Sequence, residues 1–167
     1  MPEKPQQTNS IIFGDKPDVA IVCLWTPIEA VAKRLNKSDY GILGNLYSAE
    51  RGIDSLIRTL LTHPEIKHLI ITGADVTKSG QALLDFFKKG FSKSKTKETQ
   101  IECWQISSEF GGYIDWDIPE QALQELRESI NVYPIKLIDD IKNLKLIQPA
   151  KTRKQQIYTK KTQFVKK

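Results

Sequence analysis

His68-Leu69-Ile70-Ile71-Thr72-Gly73-Ala74-Asp75-Val76-Thr77-Lys78-Ser79-Gly80-Gln81 decides the fold. A continuous apolar run ends at a glycine, passes a carboxylate and a hydroxyl-rich turn, and reaches a second glycine that opens an apolar-periodic helix. That is how α/β proteins build ligand sites, at the carboxyl ends of buried parallel strands.

The same unit recurs on both sides of it. Upstream, residues 18–25 are continuous and β-branched, the pattern of a strand buried on both faces. Thr26-Pro27-Ile28-Glu29 then offers an N-cap hydroxyl, a proline at N1 and a glutamate at N3, a capping box for a helix to about Leu35. Residues 40–44 read as a second strand. Ser48 caps a helix in which Ile53, Leu56, Ile57, Leu60 and Leu61 share one face, up to His63-Pro64. Residues 66–73 form the third strand, followed by a helix over 81–89 with Leu83, Leu84, Phe86 and Phe87 inward and Gly90 as its stop.

Downstream, the lysine-rich residues 91–100 lack periodicity and read as a solvated loop. Residues 101–107 read as a fourth strand, and Asp117-Ile118-Pro119-Glu120 repeats the cap logic before a helix through Ala122, Leu123, Leu126 and Ile130. Residues 132–138 form a fifth strand and 139–146 a short helix. The alternation predicts an α/β fold: a Rossmann-like open, mostly parallel sheet of about five strands with helices on both faces.

With 167 residues, the chain fits one domain, placed at 15–149 between a flexible segment (1–14) and a disordered tail (150–167). The net charge of +5 arises in that tail: the last 17 residues carry +7 and no acid, which leaves −2 for the rest. A solvating tail is the reading its composition favours, so nucleic acid is not expected as a partner except through these lysines. Cys23 and Cys103 each lie within an apolar run, which predicts buried free thiols. No run approaches the ~18 apolar residues of a membrane span, nor does the polar N-terminus resemble a signal peptide, so a cytoplasmic protein is expected.

Four loops should meet at the carboxyl edge of the sheet: 25–27, 44–50, 73–81 and 107–116. They gather Gly44, Tyr47, Ser48, Glu50, Gly73, Asp75, Thr77, Ser79, Gly80, Gln81, Gly111 and Gly112 as candidate binding residues. Backbone amides after Ser48 and Ser79 can accept an anion, although capping explains those two serines equally well. Asp75 and Glu50 are candidate acid/base or ribose-binding groups, or merely solvated or cap-pairing carboxylates. No GxGxxG, P-loop or GxSxG motif occurs. His63 closes a helix, and His68 starts its strand about 16 Å from the ligand edge, so neither is placed as a ligand. No metal site is expected, and no catalytic residue is singled out.

The strings Val19-Ala20-Ile21-Val22-Cys23-Leu24, Gly44-Asn45-Leu46-Tyr47-Ser48-Ala49-Glu50-Arg51-Gly52-Ile53, His63-Pro64-Glu65-Ile66 and Leu69-Ile70-Ile71-Thr72-Gly73-Ala74-Asp75-Val76, continued by Gly80-Gln81-Ala82-Leu83 and residues 118–126, resemble the soluble domain of the corrinoid-carrying subunit of tetrahydromethanopterin S-methyltransferase. A related domain is associated with archaeal thymidylate synthases. The likeness covers about residues 17–140 in the same order. It implies a Rossmann-like fold and a corrinoid that carries a methyl group from a pterin to coenzyme M. In that family a histidine before the glycine-glutamine pair coordinates cobalt. Here the shorter loop is Thr77-Lys78-Ser79, and a protonated lysine cannot replace the imidazole donor. The family's C-terminal membrane anchor is likewise not expected.

The resemblance therefore implies a corrinoid or one-carbon binding module that holds cobalamin, or another small-molecule cofactor or nucleotide, without His ligation. Two alternatives are an enzyme or accessory domain of thymidylate or folate-type metabolism, partnered with a one-carbon enzyme, and a non-catalytic interaction domain tethered by its tail. If it is an enzyme, it is a methyl transferase or part of one.

Overall fold

The computed structural model describes residues 11–159. Among them, eight strands and four α-helices follow in the order β1 (Ile12–Phe13), β2 (Val19–Val22), α1 (Ile28–Arg34), β3 (Ile42–Gly44), α2 (Ala49–Thr62), β4 (His68–Ile71), α3 (Ser79–Lys89), β5 (Phe91–Lys95), β6 (Glu102–Ile106), β7 (Tyr113–Asp115), α4 (Glu120–Ser129) and β8 (Asn131–Pro134). The fold is mixed α/β.

Five strands form the main sheet in the order β1-β3-β2-β4-β8, parallel except for the antiparallel edge strand β1. β2 and β4 are fully buried because each face of the sheet meets a separate apolar layer. Val19, Ile21, Cys23 and Ile70 face α1, while Ala20, Val22, Leu69 and Ile71 face α2, α3 and α4. Successive residues thus alternate between two cores, as the period of two requires.

The downstream part departs from the sequence reading. Residues 91–100 are not a solvated loop: β5 pairs antiparallel with β6 over five residues and β6 with β7, forming a separate three-stranded sheet. Residues 101–107 are therefore not a strand of the parallel sheet. Gly90, at φ +95°, reverses the chain directly after α3. Trp104, Ile106 and Ile114 point into the larger core and Gln105 faces out, while Cys103 on the opposite face of β6 is also buried. The fifth strand of the main sheet is supplied at its other edge, by β1. Residues 138–143 form a 3-10 turn where a short helix is expected.

Two helix starts also differ. Thr26 does not cap α1, since its hydroxyl accepts the Ala74 amide at 3.0 Å. Asp117 does not cap α4, because its carboxylate binds Arg58. Ser48 stands at the N-cap position of α2 but makes no side-chain cap bond.

Part of the tail expected to be disordered is docked, while residues 1–10 and 160–167 lie outside the described residues. Arg153 donates to the carbonyls of Leu60 (2.8 Å), His63 (2.8 Å) and Ile66 (2.9 Å) and to the Ser129 hydroxyl (3.2 Å). It closes the C-terminus of α2 from a distant segment, where free carbonyls and the dipole both favour a cation. Burial lowers its pKa to about 10, and Glu65 opposes the shift only in part. Lys151 pairs with Glu128 at 3.0 Å, and the Gln156 amide bonds Leu61 O at 3.0 Å.

Arg58, on the buried face of α2, is the polar node of this half of the molecule. Its guanidinium grips Asp54 (2.6 and 3.2 Å) and Asp117 (2.9 and 2.7 Å) and donates to the Tyr158 carbonyl (3.2 Å). Asp54 in turn accepts the Asp115 amide at 2.8 Å. Burial alone would lower the Arg58 pKa, but its bonds to Asp117 and Asp54 reverse that and hold it above the ordinary value. One residue thus joins α2, β7, the start of α4 and the C-terminal strap. Arg58→Met removes the guanidinium that Asp54 and Asp117 share in a buried setting and should cost about 3–5 kcal/mol in urea unfolding. A loss below about 1 kcal/mol would show that the node is peripheral to stability.

Candidate functional site

The parallel strands run β3-β2-β4-β8, so the chain steps to one side of β2 and then to the other, and its direction reverses between β2 and β4. A ligand crevice is expected outside that point. Contacts between the chain's own loops narrow it. A Cβ on Gly73, at φ +93°, would collide with the Cys23 carbonyl and the Thr26 hydroxyl, so only glycine allows the loops to meet this closely. Once they meet, Trp25 N donates to Ala74 O at 3.1 Å, and the Cys23–Thr26 turn closes at 3.0 Å. Leu24 is held at φ 52° with its side chain against Gly80, a left-handed conformation costing on the order of 1–3 kcal/mol.

The four loops do converge, but most candidate residues are taken up in holding them together. Asp75 accepts the amides of Gly80 (2.9 Å) and Gln81 (3.0 Å), and so occupies the anion seat at the start of α3 with its own carboxylate. Ser79 is fully buried and donates to Leu46 O at 3.1 Å. Thr77 and the Trp25 indole both donate to Tyr47 O, at 2.8 and 3.2 Å. Gln81 bonds Asp85 at 3.0 Å. Lys78 is exposed at φ 64°. Gly111 (φ +81°) and Gly112 (φ +103°) turn the chain between β6 and β7, with Gly112 against Ala49 at the head of α2. Glu50 is exposed nearby and contributes to raising the Tyr113 pKa, behind burial and Asp115.

Asp85 escaped the sequence reading. It is 4 % exposed on α3 and receives bonds from Gln81 and from Ser108 (2.6 Å), with Lys89 3.8 Å away. With Asp75, Lys78 and Glu109 it borders a shallow polar depression of about 300 Å³.

The larger opening lies one strand over. A cleft of about 420 Å³ runs between α2 and the β2–β3 face of the sheet. Ala20, Val22 and Ile42 form its floor, Leu56 and the polar Arg51 and Ser55 its α2 wall, and Asn45 and Tyr47 its mouth. It is open because α2 crosses back over β2 toward β4 and because Gly44 has no side chain: a Cβ there would meet nothing within 4 Å. Asn45 fixes the mouth by donating to Leu24 O (2.9 Å) and Thr26 O (2.8 Å). Of the candidate residues, Gly44 and Tyr47 line this cleft, and Asp75 and Gln81 line the depression. Arg51, Ser55 and Thr59 recur every four residues on α2, a polar stripe that sequence alone reads as a solvated face.

The nucleophiles are quiet. Burial, with a smaller contribution from Glu29, pushes the Cys23 thiol up to about 12, and burial also raises Cys103. His68 is fully buried at the far end of β4, its Nδ1 3.0 Å from the Tyr133 hydroxyl. Burial lowers its pKa, and Asp18 only partly opposes this. Among the described residues, no group of three or more His, Cys, Asp or Glu is placed to hold a metal ion. No described helix is long and apolar enough to cross a membrane.

If Asp75 is a cap, Asp75→Ala should lower stability by about 1–2 kcal/mol and leave small-molecule binding intact. Paired urea titrations and thermal-shift assays with ligand test this; loss of binding at unchanged stability would make Asp75 a ligand contact instead. In comparisons with known proteins, no family model and no curated protein matches this chain.

Proposed function

We propose that this chain is a one-carbon-type binding module with a Rossmann-like fold, related to the soluble domain of the methyltransferase, that holds its small molecule in the cleft between β3 and α2 without ligating a metal. The observation that carries this reading is the open, apolar-floored cleft at Gly44, directly beside a strand-order reversal whose own crevice is narrowed at Gly73. Small-molecule sites are typically concave, about 300–1,000 Å³ in volume and mostly apolar with a few oriented polar groups. Asn45, Arg51 and Ser55 supply such groups here.

A corrinoid fits this chain poorly at the turn of residues 73–81. The loop Thr77-Lys78-Ser79 holds no histidine, Lys78 in it is exposed and left-handed, and the nearby Asp75 carboxylate already accepts two amides. Cobalamin is also far larger than a ligand suited to a cleft of about 420 Å³. Cleft size thus favours the smaller molecules of the same metabolism, a nucleotide or a reduced folate, and with them the reading as an accessory domain of thymidylate or folate-type chemistry. A binding role asks nothing of the nucleophiles: burial raises both thiols, and the buried carboxylates are paired.

A thermal-shift panel of cobalamin, dUMP, dTMP and reduced folates tests the proposal. At a hundredfold excess over Kd, a bound ligand stabilises by about 2.7 kcal/mol, roughly 5–10 °C for a chain of this size. The expected outcome is such a rise with a nucleotide or folate, absent in Gly44→Leu, which fills the cleft. A flat response to all four compounds, or equal responses in the two proteins, would overturn it.

A further inference from the structure

We infer that the cleft between β3 and α2 is selective for small amphipathic organic anions, with Arg51 as the anchoring residue. This rests on the cleft being the ligand site and adds the charge of what enters it. Among the described residues lining the cleft, Arg51 is the one charged side chain, and no acid shares the wall with it. The other guanidiniums are committed: Arg34 to Asp139, Arg58 to Asp54 and Asp117, Arg127 to the Phe86 and Phe87 carbonyls, and Arg153 to the end of α2. No ion pair joins Arg51 to another described residue.

The placement gives the ligand a polarity. Arg51 and Ser55 lie one helical turn apart on α2, so a guanidinium and a hydroxyl face the same end of the cleft. Beneath them the floor of Ala20, Val22 and Ile42 offers no hydrogen-bond partner, because the backbone groups of these strands are engaged in the sheet. A neutral hydrophobe would leave the guanidinium and hydroxyl facing its apolar body. A fully polar anion would leave the floor in contact with water. A molecule with a flat apolar body and a carboxylate, sulfonate or phosphate at one end satisfies both, the anion accepting the fork of guanidinium N–H donors. Because Arg51 lies at the exposed rim, its contribution falls as salt rises.

Two fluorescent probes of nearly the same shape separate charge from cleft. 8-Anilinonaphthalene-1-sulfonate carries one sulfonate, whereas N-phenyl-1-naphthylamine is neutral. Both are titrated into the full chain, Arg51→Ala and Gly44→Leu, with circular dichroism confirming that each is folded. The expected result is that the sulfonate binds about tenfold more tightly than the neutral probe, that Arg51→Ala or 0.5 M salt removes the difference, and that Gly44→Leu abolishes binding of both. Equal binding of the two probes, lost in Gly44→Leu and indifferent to Arg51→Ala, would overturn the anion selectivity while leaving the cleft as the site. Binding unaffected by Gly44→Leu, or no binding of either probe, would overturn both. Arg51→Ala is a surface change, so this arm does not depend on whether the strand tolerates leucine at position 44.

Discussion

A missing Cβ at Gly73 lets the loop after β4 rest on the Cys23 carbonyl, and the arrangement of the carboxyl edge follows from that contact. Any other residue would meet a backbone carbonyl and would also have to adopt φ +93°. With the two loops in contact, Trp25 and Thr26 bond to Ala74, Leu24 packs against Gly80, and Asp75 is carried over the first amides of α3. The crevice at the strand-order reversal is consequently narrowed by the two touching loops. The turn caps its own helix through Asp75 and borders only a shallow polar depression, whereas the larger open volume lies at β3, beside Gly44.

Helix α2 couples that joint to the rest of the molecule. Its outer polar stripe walls the cleft, its buried face carries Asp54 and Arg58, and its last carbonyls receive Arg153 from the C-terminal strap. The head of the same helix lies against the β6–β7 turn at Gly112. The width of the cleft therefore depends on how firmly α2 is held. Its apolar face, with Ile53, Ile57, Leu60 and Leu61 fully buried, seats it on the core, and the buried charge–dipole and ion-pair contacts fix its middle and its C-terminal end.

The parallel core was legible because it is written in apolar periodicity. β2, β4 and the helical face of Ile53, Ile57, Leu60 and Leu61 announce themselves as buried without reference to anything distant. Convergence of the loops at 25–27, 44–50 and 73–81 was legible too, since strand polarity places them at one edge; the loop at 107–116 joins them from the antiparallel sheet, through Ser108 on Asp85 and Gly112 on Ala49, and not as the end of a parallel strand. The second sheet was not: in Phe91-Ser92-Lys93-Ser94-Lys95 the lysines mask an alternation that becomes meaningful only opposite Trp104 and Trp116, over which Lys93 lies 5.7 Å from the ring centre. The roles of Asp117, Thr26 and Arg153 were equally hidden, because a local capping pattern and a basic tail both found long-range partners that outcompeted the local ones. The cleft escaped for the opposite reason. Arg51, Ser55 and Thr59 look like ordinary solvent-facing positions until α2 is placed against β3.

Ligand is expected to enter between β3 and α2 and not at the turn after β4. Amide chemical-shift mapping on ¹⁵N-labelled protein titrated with 8-anilinonaphthalene-1-sulfonate addresses it directly. The largest perturbations are expected at Gly44, Asn45, Arg51, Gly52 and Ser55, with Gly73, Asp75, Gly80 and Gln81 unmoved. Perturbations concentrated on residues 73–81 would contradict it and return the site to the strand-order reversal.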